Sequence, residues 1–292
     1  MMFGERRGWM NRDYVMLAGL LLAAVWFSRE AWMDVFNRAV IDPENGHALF
    51  APVVALYLFW LRRSRLQFIR YRPSFIGTLL VGFSIFMLYW GLDKNILAVW
   101  HLGAVLLLIG CLVTMTGIEV IRQFAPAILC LFFLIPTPGY VRITLAAPLQ
   151  DLATSLTITI LEASNIDAVR DGMVIQIGNP PKNVAIGEAC NGMRMVFALF
   201  LVMFGFAFSA PFRIETRLLL LASCPIIALT CNVVRLVPTS LVYGHASEEF
   251  ADQFHWYAGL CMLPLALLMM MGLIKLLNWL DIPTMKWRLV PQ

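Results

Sequence analysis

The chain has 292 residues, of which 60% are hydrophobic and 14% charged, and a net charge of +4 at neutral pH; its mean hydropathy is +0.77. Soluble domains carry about 45–50% apolar and about 25% charged residues, so this composition excludes a water-soluble enzyme and defines an integral membrane protein. No basic run is interleaved with aromatics, so nucleic acid is not an expected partner, and membrane lipid is the expected solvent.

The N-terminus, MMFGERRGWMNRDY, is basic but has no small-residue cleavage site before its apolar run. It reads as the cytoplasmic flank of a first spanning helix and not as a removable signal. Apolar runs fall at about 14–28, 47–61, 74–91, 96–116, 120–136, 191–210, 217–243 and 256–280. They predict an all-α polytopic membrane protein of about eight transmembrane helices, forming a single integral membrane domain over residues 1–292.

The segment 137–190 between the fifth and sixth runs is not uniformly apolar. Two prolines and a glycine in LFFLIPTPG end the fifth helix. TLAAPLQDLATSLTITILEAS then sets acids and hydroxyls against Leu and Ile, which predicts an amphipathic helix along the interface. AVRDGMVIQIGNPPKNVAIGEAC alternates apolar and polar residues around turn signals at Asp171-Gly172 and Gly178-Asn179-Pro180-Pro181. That pattern predicts a short β-hairpin leading into Cys190.

The basic residues alternate in side across these spans. Arg6, Arg7, Arg12, Arg62, Arg63, Arg65, Arg70, Arg72, Arg122, Arg213, Arg217, Lys275, Lys286 and Arg288 fall on one face. The other keeps Arg29, Arg38, Lys94, Arg142, Arg170 and Lys182, with Arg194 and Arg235 near helix ends. The positive-inside rule makes the first face cytoplasmic, with both termini inside. The 137–190 insertion, the end of the seventh helix with Arg235, and the 244–255 loop with His255 then face outward.

Six cysteines are present, with no CxxC pair and no HExxH, so no metal and no cofactor is expected. Cys111, Cys130, Cys224, Cys231 and Cys261 read as small apolar fillers. Cys190, in IGEACNGMR, has Glu188, Asn191, Gly192 and Arg194 around it. A helix starting at about Asn191 would point free N–H groups near the sulfur, and Arg194 lies one turn on. Both favour a thiolate. A cysteine at a helix start also packs as a plain side chain, and the stretch alone leaves both readings open.

Asn232 and Arg235 stand three residues apart in LTCNVVRLVPTS, on one helix face. An arginine at the rim of a spanning helix is costly and usually functional, although it also snorkels to headgroups. His255 precedes the eighth helix in EEFADQFHWYAG, where a histidine serves as general acid and base or joins the aromatic belt. The glycines at 187 and 192 have phosphate-loop spacing but lack the following Lys-Ser/Thr. No GxSxG or GxGD appears either.

EACNGMR, NVVR and FHWYAG resemble the cysteine, arginine and histidine motifs of the exosortase/archaeosortase family. NGHALFAPVVALYLFWLRR is similar to its early HG…P…W-R-R pattern and LFFLIPTPG to its F-x-x-P-x-P-G element, over about residues 40–280. Asn191 stands where serine is common. The resemblance implies a bacterial inner-membrane cysteine protease or transpeptidase with its site on the extracytoplasmic face. It implies Cys190 as nucleophile, Arg235 as the motif arginine and His255 as the third member. Arg194, Glu188, Asn191 and Asn232, read from their own stretches, are the expected supporting or substrate-binding residues, with the roles of Arg194 and Glu188 open. The implied substrates are exported proteins with a tripartite C-terminal sorting signal: a PEP-CTERM-like motif, a hydrophobic helix and a basic tail. The competing expectations are a non-enzymatic component of exopolysaccharide assembly or export, and a thiol-dependent membrane acyltransferase.

Overall fold

The computed structural model describes residues 9–172, 174–177, 182–185, 193–280 and 282. The chain divides into two compact units, residues 1–138 and 139–292.

In the first unit, α1 (Asn11–Phe27) turns by 67° into α2 (Arg29–Ile41), and a 3-10 turn, Pro43–Leu49, leads to α3 (Ala51–Leu61). A second 3-10 turn, Arg63–Phe68, precedes α4 (Phe75–Asp93), α5 (Leu97–Thr116) and α6 (Glu119–Cys130). The α4–α5 pair is held by small residues at seven-residue spacing. A Cβ on Gly77 would stand 2.2 Å from Thr114 N, one on Gly91 2.6 Å from Trp100 N, and one on Gly103 2.9 Å from Leu88 N. Between apolar helices in lipid, such close backbone approach supplies the dispersion contacts that hydrophobic collapse cannot. Asn95, at φ 54, makes the turn between the two helices, and Gly117, at φ 68, ends α5. Inside this unit, the buried His101 Nε2 lies 2.9 Å from Asp34 Oδ2, which also accepts from Arg38 Nε at 2.6 Å.

In the second unit, α7 (Gly139–Ala163) begins directly after the Pro136–Pro138 stretch. Its residues Ala153, Thr154, Thr157, Ile158 and Leu161 are buried at helical spacing, while Leu152, Leu156 and Ile160 are exposed. The buried face packs on α9 (Ile214–His245). Three antiparallel strands follow α7: β1 (Ala168–Asp171), β2 (Val174–Ile177) and β3 (Lys182–Ala185), in that spatial order. Their register pairs Ala168 with Ile177 and Ile177 with Lys182. Gly172, at φ 61, occupies the turn between β1 and β2.

The remaining helices are α8 (Met193–Ser209) and α10 (Glu248–Trp279). Leu199, Met203 and Ala207 of α8 meet Leu220, Cys224, Ile227, Ala228 and Cys231 of α9 and Met262, Ala266 and Met270 of α10 in one core.

The eight expected spans are confirmed in part. Among the described residues, α4, α5, α9 and α10 are long and apolar enough to cross a membrane, and a fifth span results if the bent α1–α2 pair is counted as one. The run at 47–61 divides into a 3-10 turn and an 11-residue helix. The run at 120–136 is kinked at Phe124, carries Pro126 and passes into 3-10 geometry at Leu131–Leu134. The 17 described residues of α8 measure about 26 Å. The expected hairpin is a three-stranded sheet. Of the cysteines read as fillers, Cys111, Cys130, Cys224 and Cys231 are buried, but Cys261 is on an exposed face of α10.

Candidate functional site

The site is built on α9 and α10, each 32 residues long. At 1.5 Å per residue each measures about 48 Å, more than the hydrocarbon layer requires. Each therefore carries several turns that a span does not need. The sequence expectation put Arg235 at the end of its helix and His255 in a loop. The structure corrects both: Arg235 lies within α9, with ten residues still to come, and His255 stands in the second turn of α10.

Arg235 is fixed from its own helix. Its Nη2 donates to Asn232 Oδ1 at 2.8 Å, three residues earlier, and Asn232 is 2% exposed. The buried amide holds one prong of the guanidinium fork and limits its rotation. Pro238, one turn on, has no N–H to close on the Val234 carbonyl, which loosens α9 at this level.

Two contacts set the register of α9 against α10. A Cβ on Gly259 would stand 3.9 Å from Arg235 Nη1, so the guanidinium reaches the α10 backbone where it has no side chain. The Tyr243 hydroxyl meets the Asp252 carboxylate. From Asp252 to Gly259 is seven residues and from Tyr243 back to Arg235 is eight, so the helices run antiparallel in step. His255 lies between these contacts, one turn from Gly259 and level with Thr239. The antiparallel register thus places Arg235 and His255 at neighbouring levels of one α9–α10 seam. His255 is half-buried, as is Arg235.

The sequence reading did not find Thr239 and Ser240. Both residues are buried, at 2% and 0% exposure, and neither hydroxyl has a hydrogen-bond partner among the described residues. Serine and threonine in helices ordinarily donate to the carbonyl four residues back, as Thr154 and Thr157 do in α7. An unpaired buried hydroxyl costs about 1–3 kcal/mol. The signal for Thr239 lies in the sequence: it follows Arg235 by four residues, and Asn232, Arg235, Thr239 and Tyr243 share one face of α9.

The sheet docks beside this face. Ile175 and Ile177 of β2 are buried with Val233 and Leu236 of α9. Gly244 makes the close approach possible, since a Cβ there would lie 2.4 Å from Ile177 Cγ2. On the other side, Arg170 of β1 donates from Nη1 to Ser155 Oγ at 2.7 Å, and its Nη2 pairs with the Asp151 carboxylate. These bonds fasten the sheet to α7.

Of the predicted site residues, Cys190, Glu188 and Asn191 lie outside the described residues. Arg194 is the second residue of α8. Because α8 runs antiparallel to the start of α9, its length brings Arg194 to about the level of residue 229, near the Asn232–Arg235 stretch. The site residues that are described, Arg194, Asn232, Arg235 and His255, all belong to the second unit.

Apolar helices of this length, with an asparagine-held arginine and a histidine on one seam, define a multi-pass membrane protein with a polar site on its long helices. The model of the transmembrane exosortase family (Exosortase_EpsH) matches residues 26–272, and the chain belongs to that family. Neither a comparison with curated proteins nor one with solved structures gives a match.

Proposed function

We propose that this protein is a membrane-embedded cysteine protease or transpeptidase that cleaves the C-terminal sorting signal of exported proteins. The observation that carries the reading is the seam of α9 and α10. Arg235 is oriented there by Asn232 and seated against Gly259, one turn from His255. Membership of the exosortase family supports it.

In this reading Cys190 is the nucleophile. The stretch that carries it follows β3 directly in sequence and precedes α8. The Cys190 thiol gives up its proton to His255, and the thiolate attacks the scissile carbonyl. Arg235 stabilises the developing oxyanion, in surroundings where few competing waters screen it. Collapse breaks the C–N bond, the leaving amine takes the proton from His255, and a thioester joins the substrate to Cys190. An acceptor amine or water then attacks the thioester and restores the thiol. Arg194, Glu188 and Asn191 would support the thiolate or the substrate backbone.

The substrates would carry a PEP-CTERM-like motif, a hydrophobic helix and a basic tail. The site would face outward from a bacterial inner membrane, with both termini cytoplasmic. Cells carrying Cys190→Ala, with the variant present in the membrane at normal amount, should accumulate full-length exported substrates. Normal processing in those cells would overturn the reading.

A further inference from the structure

A second polar feature belongs to the first unit and plays no part in the proposed chemistry. Arg70 and Arg72 line a cavity of about 170 Å³ together with Phe68, Thr116 and Glu119. They alternate along an extended segment, so both side chains leave it on the same side. The segment is fixed by backbone bonds from Arg72 N to Met115 O and from Ser74 N to Thr114 O, each 3.0 Å. Gly117, at φ 68, turns the chain past it, and the missing Cβ leaves room for the Arg72 stem, whose Cδ would lie 3.7 Å away.

The charge of this cavity is unbalanced. The neighbouring arginines are engaged: Arg65 donates to Gln123 O at 3.4 Å, and Arg63 donates to Trp60 O at 3.3 Å and stacks on the Trp60 ring. Glu119 is occupied by Gln123 Nε2 at 2.7 Å and by Arg122 at 3.9 Å. Neither Arg70 nor Arg72 makes a side-chain hydrogen bond or ion pair among the described residues, and both are exposed. Two cations held by a fixed backbone around a small hollow, against the single lining carboxylate of Glu119, which is turned to Gln123 and Arg122, leave an excess of positive charge that fits one bound phosphate group.

The level of the cavity identifies the source of that phosphate. α4 begins at Phe75 and α5 ends at Thr116, so the hollow lies where two spans leave the hydrocarbon. Trp9, whose Nε1 donates to Ile69 O at 3.0 Å and whose ring meets Tyr71 edge-on, and the exposed Phe68 give the same rim an aromatic, interfacial character. We infer that the Arg70–Arg72 cavity binds the phosphate of an anionic phospholipid headgroup. This is independent of the peptidase reading.

Native mass spectrometry of the purified full chain, titrated in detergent with phosphatidylglycerol, phosphatidylcholine or inorganic phosphate, tests it. The wild type should retain phosphatidylglycerol over phosphatidylcholine. Arg70→Gln/Arg72→Gln should weaken that binding roughly 30-fold, at about fivefold per arginine near a membrane surface. Arg70→Lys/Arg72→Lys should keep most of it, and serves as the test if the glutamine pair does not fold. Arg29→Gln, an exposed arginine elsewhere in the same unit, should change nothing. Equal binding of the two lipids, undiminished binding by the glutamine pair, or a loss as large with the lysine pair would overturn the site. Binding of inorganic phosphate as tight as that of phosphatidylglycerol would overturn the lipid assignment.

Discussion

Arg235 Nη2 donates to the side-chain Oδ1 of Asn232 at 2.8 Å, and the amide that receives it is buried in α9. A neutral amide orients the guanidinium without offsetting its positive charge, which a carboxylate at 232 would do. Asn232→Asp should therefore leave the protein folded and lower processing of a sorting-signal substrate by about 100-fold, the scale of loss expected when a catalytic group is misplaced or neutralised. Asn232→Gln should recover little, because its longer arm moves the guanidinium. Wild-type processing by Asn232→Asp would show that Arg235 does not serve the reaction.

Gly259 leaves the space into which Arg235 Nη1 projects. Gly259→Ala places its Cβ at an ordinary contact distance of 3.9 Å and should be tolerated, with processing within a few-fold of wild type. Gly259→Leu should displace the guanidinium and lower turnover at least tenfold, while thermal stability in detergent falls little. Equal activity of the alanine and leucine variants would contradict the seating of Arg235 on α10.

Gly244 is the corresponding point for the sheet. Any Cβ there meets Ile177 Cγ2 at 2.4 Å, a stiff β-branched methyl in a buried position. Gly244→Val should cost about 1–3 kcal/mol by overpacking. It should also raise hydrogen exchange in β2 ahead of the core of α9. Gly244→Val/Ile177→Ala should regain part of the loss, since the smaller residue removes the methyl that clashes. Absence of any recovery in the double variant would argue that the sheet does not dock through this pair.

These elements show what sequence makes legible and what it does not. The continuous apolar runs of α4, α5, α9 and α10 mark their spans, and Asp171-Gly172 marks a turn whose glycine takes φ 61. Hydropathy has no means of separating a helix from the 3-10 turn that continues it, so the runs at 47–61 and 120–136 read as spans when each changes geometry partway. It also loses a helix once that helix leaves lipid. The run at 217–243 stops only two residues short of the end of α9, but EEFADQFH, ahead of the run at 256–280, already belongs to α10, with Glu248 and Glu249 suited to its N-terminal dipole. That is why His255 was expected in a loop. The face shared by Asn232 and Arg235 follows from local spacing and was legible. The α9–α10 register depends on Tyr243 meeting Asp252, a tertiary contact that no local pattern records.

The unpaired Thr239 hydroxyl separates stability from function. Thr239→Val keeps the shape and removes a buried polar atom that has no partner among the described residues, so folding stability should rise by about 1 kcal/mol. If the hydroxyl is reserved for a substrate carbonyl, processing should fall about tenfold at the same time. Greater stability with unchanged processing would show that the hydroxyl has no part in the reaction, and lower stability would contradict its unpaired state.

The central claim is that Cys190 forms a covalent acyl-enzyme with Arg235 and His255 acting on the same carbonyl. Its most direct measurement is intact mass spectrometry of the membrane-purified protein, quenched in acid after brief exposure to a substrate carrying the sorting signal. The account predicts a hydroxylamine-sensitive adduct equal to the substrate fragment on the N-terminal side of the cleavage point. It should map to Cys190, be absent from Cys190→Ala and be strongly reduced in Arg235→Gln and His255→Ala. Substrate cleaved at the normal rate by Cys190→Ala, or an adduct mapping to another residue such as the exposed Cys261, would contradict it.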